Sequence, residues 1–123
     1  VFRTKNMIDD CILPLLNDVS IDSAFMGLPV HKNFWRKKGK YFERIAEDIP
    51  YGIPRQEREP LYREDTGLAL ATRAKVIKSG RRIGDKSLVI PYTQSVDFID
   101  IHNEFDLWLS ETIIEKKKII PNC

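Results

Sequence analysis

The sequence has little of what specialises many small domains. Two cysteines, Cys11 and Cys123, stand among 123 residues, too few for a disulfide framework, and a reduced, intracellular chain is the expectation. The two histidines, His31 and His102, nowhere approach the paired spacing that a tetrahedral zinc site needs. Its six glycines are dispersed, with neither GxGxxG nor GxxxxGKS/T, so no phosphate cradle and no cofactor are expected. No apolar run approaches the ~20 residues that span a bilayer. Val1 to Lys5 lead into acidic residues rather than an apolar segment, so neither a membrane nor a secretory leader is expected. The net charge of +2 does not by itself argue for a polyanionic partner.

What is present is enough apolar surface to build a core. Apolar residues make up 42% and charged residues 31%, which fits one folded domain spanning 1–123. The charge is segregated. Residues 32–44 carry Lys32, Arg36, Lys37, Lys38, Lys40 and Arg44 against Glu43, and residues 73–86 carry Arg73, Lys75, Lys78, Arg81, Arg82 and Lys86 against Asp85. Residues 97–111 carry Asp97, Asp100, Glu104, Asp106 and Glu111 with no Lys or Arg. Such polarisation makes a local field that the net charge hides.

Apolar spacing predicts a helix over 8–19, with Ile8, Cys11, Ile12, Leu15, Leu16 and Val19 on one face and Pro14 on the other. Pro14 either kinks it or delays its start to a cap at Asp9 or Asp10. Residues 18–33 read as an irregular connection. Residues 34–46 fit a helix or a basic hairpin, in which Phe34–Arg36 and Tyr41–Glu43 flank Lys37–Lys40; aromatic enrichment on both arms favours the hairpin. Residues 47–65 read as a long charged loop. A helix follows over Leu68–Ile77, capped by Asp65 or Thr66 and stopped by Gly80. Leu88–Ile90 before Pro91 reads as a strand. A last helix over 96–113 has Thr93 or Ser95 as cap and Phe98, Ile101, Phe105, Trp108 and Leu109 inward. The order predicts a small α+β domain: an N-terminal helix, a basic β-hairpin, a charged loop, then helix-strand-helix. Phe105→Ala, if the side chain is buried, is expected to cost about 3–5 kcal/mol.

Several chemistries can be weighed on residue spacing. Asp97, Asp100 and Glu104 would share a helical face able to hold a cation, but they read more simply as the solvated face, with Asp97 suiting the helix dipole. Asp106 with Glu115-Lys116-Lys117 has the letters of a metal-dependent nuclease, though on a helix rather than at a sheet. No metal site and no catalytic residue is assigned. The segment Phe34–Phe42 is the most informative, since it interleaves four cations with four aromatic rings. Cations neutralise phosphates and rings stack on exposed bases.

Ile49-Pro50-Tyr51-Gly52-Ile53-Pro54-Arg55 resembles a short motif of plasmid replication-initiator proteins, and Leu28-Pro29-x-His31 resembles another in the same order. In that family a helix follows the proline-arginine pair directly, whereas here Gln56–Gly67 intervenes. Ala74–Tyr92 is similar to the helix, glycine, Gly-Asp-Lys turn and strand in the thumb of some DNA polymerases. Each resemblance covers a small part of the chain, and both imply DNA as the partner.

The reading is a nucleic-acid-binding module, for DNA or RNA. The contacts expected are Trp35, Arg36, Lys37, Lys38, Lys40, Tyr41, Arg73, Lys78, Arg81, Arg82 and Lys86, mostly to phosphates. The alternative is a protein-protein or assembly module using the loop 55–65 and the acidic face 97–111. An enzyme, the nuclease, comes third.

Overall fold

Ser23–Val30 forms β1, the strand on which the sheet is built. The structure is a computed structural model that describes residues 3–45, 52–54, 57–92 and 99–119. Along one edge β1 pairs antiparallel with β4 (Leu61–Glu64) and β5 (Leu70–Thr72), which lie end to end. The turn between them binds the same strand: Asp65 N–H donates to Met26 O (2.9 Å) and Met26 N–H donates to Ala69 O (3.1 Å). Along the other edge β6 (Ser87–Pro91) runs parallel to β1, from Ser23↔Ser87 to Gly27↔Pro91.

The irregular connection expected over 18–33 is therefore corrected, because Gly27 and Pro29 read as breakers. Pro29 lies two residues beyond Gly27, the last position that β6 reaches. Strand alternation aims its nitrogen away from β4, so its missing N–H costs neither ladder a bond. Gly27 is required by close packing, since a Cβ there would run into Val89 Cγ1.

Helix α1 (Met7–Asn17) covers the face formed by Ala24, Met26 and Leu28. It starts at Met7, earlier than the cap expected at Asp9 or Asp10, with both acids in its first turn. It buries Met7 and Cys11, with Leu15 half-buried, against Leu68, Ala69 and Tyr92. The expected face is thus rotated: Ile8, Ile12 and Leu16 stay exposed, Leu16 at 72%. They overhang a groove of about 700 Å³ against Leu68–Arg73.

Further expectations are corrected. Thr66–Leu68 is a turn and Leu70–Thr72 a strand rather than a helix, because pairing of Ala71 with Ala24 and Leu70 with Phe25 overrides their helix propensity; only Ala74–Lys78 forms the helix α2, and Gly80 (φ 81°) follows it in the left-handed region. Leu61–Glu64, expected within the charged loop, is β4. The last helix, α3, spans Glu104–Ile119 instead of 96–113. Its start is set by a reciprocal box in which Asp106 N–H donates to Asn103 Oδ1 (3.0 Å) and Asn103 N–H donates to Asp106 Oδ2 (3.2 Å). Ser110 is buried and Leu109 half-buried, while Ile101, Phe105 and Trp108, expected inside, are exposed, Phe105 at 65%. Thr93, Ser95, Asp97 and Phe98 lie outside the described residues.

The observed class is α+β, and no helix among the described residues is long and apolar enough to cross a membrane. Cys11 is unbridged and buried against Ala69 O; Cys123 lies outside the described residues.

Candidate nucleic-acid interface

The basic aromatic segment is a hairpin, β2 (Trp35–Lys38) and β3 (Tyr41–Arg44), joined by the two-residue turn Gly39-Lys40. Gly39 (φ 63°) supplies the left-handed residue that a tight hairpin turn needs. The first strand runs two residues further toward the turn than the sequence implies, so Lys37 and Lys38 are paired rather than looped.

Its register sorts the side chains onto two faces. Trp35↔Arg44 and Lys37↔Phe42 share one face, and Arg36↔Glu43 and Lys38↔Tyr41 share the other. On the second face Glu43 accepts from Arg36 (2.6 Å) and Lys38 (2.7 Å). The Lys38 and Arg36 hydrogen bonds hold its carboxyl below the usual carboxylate range. On the first face Lys37 makes no ion pair among the described residues, and Trp35 and Phe42 are 54% and 61% exposed. Lys40 Nζ lies 5.2 Å from the Tyr41 ring centre.

The base of the hairpin is fixed. Ile45 N–H donates to Phe34 O (2.8 Å), and Asn33 Oδ1 accepts from both Arg44 (2.7 Å) and Arg58 (2.9 Å). Arg58 also donates to Ile53 O (2.6 Å), and its own carbonyl lies 3.1 Å from His31 Nδ1. Arg58 therefore ties the charged loop to the ribbon, a role that only the long-range partner Asn33 reveals. Of the replication-initiator-like stretch, Ile49–Tyr51 and Arg55 lie outside the described residues.

The second basic segment is more heavily engaged. Arg73 donates to three backbone carbonyls, Leu15 O (2.5 Å), Ile21 O (2.7 Å) and Asp18 O (3.0 Å), so its guanidinium is taken up by the end of α1. Arg81 pairs with Asp85 (2.7 Å), whose carboxyl it holds low. Arg82 donates to Thr66 Oγ1 (2.7 Å). Lys75 pairs with Asp22 (2.7 Å) and, with the Lys86 backbone N–H, holds its carboxyl low; Asp18 is held low chiefly by Ser20 N–H, with the nearby Lys86 charge adding to it. Lys78 is exposed with no ion pair among the described residues. Among the described residues, no hydrogen bond or ion pair joins the hairpin to α2 or β6.

The acidic side chains among the described residues do not assemble. Asp100 pairs with His102 (3.3 Å), Asp106 caps α3, and residues 99–103 are not helical, so no common helical face joins Asp100 to Glu104. No three His, Cys, Asp or Glu side chains converge as a metal site among the described residues. Phe42, absent from the contacts expected from sequence, shares a face with Trp35 once the turn is set at Gly39-Lys40. No protein-family model matches the chain, and no curated protein matches it.

Proposed function

We propose that the chain is a nucleic-acid-binding module whose principal contact is the β2–β3 ribbon. The carrying observation is the face of Trp35, Lys37 and Phe42, with both rings more than half exposed and the hairpin's one carboxylate on the opposite side. A two-stranded ribbon is marginal by itself, and here its base is fixed by Asn33, Arg58 and the buried Arg44. Cations on a rigid projection suit a phosphate backbone, and rings beside them suit bases. Lys78, Arg81, Arg82 and Lys86 form a secondary electrostatic contact, weakened at Arg81 by Asp85. Arg73 is left out of that contact because α1 uses it.

Fluorescence anisotropy with short oligonucleotides across a salt series tests this reading. Affinity should fall steeply with salt, and Lys37→Ala and Lys40→Ala should each flatten the slope by about one unit for the phosphate that each lysine neutralises. Binding no tighter than that of a charge-matched unrelated protein would sink it. A second reading, a protein-partner module, is favoured by one observation: Phe105 and Trp108 pair outward on α3, ring centres 5.7 Å apart.

A further inference from the structure

Resting on the nucleic-acid reading, we infer that the first face of the ribbon takes an unpaired base between Trp35 and Phe42, so that the preferred ligand is single-stranded. Phe42 stands opposite Lys37 and Trp35 opposite Arg44, which makes the two aromatic residues diagonal neighbours on one face. Diagonal positions across an antiparallel pair are about 7–8 Å apart. Aromatic side chains can reach one another across that distance, yet no ring contact joins Trp35 to Phe42 among the described residues, so neither ring is taken up by the other and both can stack on a base.

The charges fit the same ligand. Lys37, directly across from Phe42, has no ion pair among the described residues and lies where the phosphate flanking an inserted base would run. Glu43 is turned to the other face, where Arg36 and Lys38 neutralise it, so no carboxylate of the hairpin opposes a polyanion on this side. In a duplex the bases are already stacked and paired, and only their edges would meet these rings. A single strand offers the ring faces, which is where stacking energy resides.

The test uses the full chain carrying Trp108→Phe, so that Trp35 is the remaining indole. Three probes are compared: a single strand of about 12 nucleotides, within the range one such binding surface covers, the same strand with abasic sites that keep every phosphate, and the matching duplex. The intact strand should bind roughly 5- to 150-fold more tightly than the abasic one, the worth of about one stacked base, and should quench Trp35 fluorescence. Phe42→Ala should weaken the intact strand by a similar factor, leave the abasic strand unchanged and keep the salt slope. The wild-type comparison of intact with abasic strands stands whether or not the variant folds. Equal affinity for all three probes with a steep salt slope would overturn the base insertion and leave nucleic-acid binding standing. No salt-dependent binding to any probe would overturn both.

Discussion

Replacing Arg73 by alanine should damage the fold rather than the ligand contact. Helix α1 has no basic residue in its last turn, and Arg73 supplies that charge from the end of β5, donating to Leu15 O and Ile21 O in half-buried surroundings and to Asp18 O at the surface. Hydrogen bonds from a charged donor contribute about 1.5–3 kcal/mol each when buried. Two such bonds at the low end, with the third replaced by water, give a loss of about 3 kcal/mol. For a chain of this length that corresponds to roughly 10–15 °C in Tm. Urea denaturation followed by circular dichroism measures it. Arg73→Lys should recover little, because an ammonium cannot fork to carbonyls on two sides. A change within about 0.5 kcal/mol, the range of ordinary surface substitutions, would refute the clamp and return Arg73 to the phosphate contacts.

Gly27→Ala should cost about 1–3 kcal/mol as overpacking, read by the same denaturation, because the new Cβ meets Val89 between β1 and β6. Glu43→Gln should release Arg36 and Lys38 and steepen the salt slope for a single strand by up to about 1.4 units; an unchanged slope would mean that neither reaches a phosphate. Lowering the pH should act in the same direction: Glu43 is held low, so its pairing persists above the usual carboxylate range and is lost only as pH falls through the depressed value. Burial pushes the Cys11 thiol up to about 11, so iodoacetamide at about pH 8, just below an ordinary thiol's pKa, should modify it only once urea unfolds the chain. Because the folded chain holds that proton more tightly, Cys11 withdraws stability as pH rises from about 8.5 toward the raised value. Phe105→Ala should change stability by less than about 0.5 kcal/mol, against the larger loss that a core position would bring, because the ring is 65% exposed.

Local signals were legible where local forces decide. The spacing of Cys11 and Leu15 located α1, the aromatic arms around Gly39 located the hairpin, and Leu88–Ile90 located β6. What failed was decided by distant partners. Ser23–Val30 carries Gly27 and Pro29, and only β4, β5 and β6 together make it a strand. Leu68–Ala71 has the composition of a helix, yet Leu68 closes a turn and Leu70 and Ala71 join β5 because β1 offers an edge. Helix α1 is apolar on more than one side, so periodicity revealed its existence but not its inward face. In the candidate site, composition singled out the ribbon, but the separation of Glu43 from Trp35, Lys37 and Phe42 required the register. The commitment of Arg73 required the end of α1.

The placement of β1 has a consequence for the order in which the molecule forms. Its partners lie from 31 residues away (Val30↔Leu61) to 64 residues away (Ser23↔Ser87). The central sheet therefore has no local pair to start from, and long loops must close before any of its contacts reward the loss of entropy. The ribbon is the reverse: Lys38 meets Tyr41 across two residues, and such hairpins close in about 1–10 μs. Chain emerging from a ribosome thus carries the basic aromatic ribbon segment before it has a core. Meanwhile one edge of β1 stays unpaired until residues 87–91 arrive, an interval in which an open strand edge invites misassociation with a neighbouring chain.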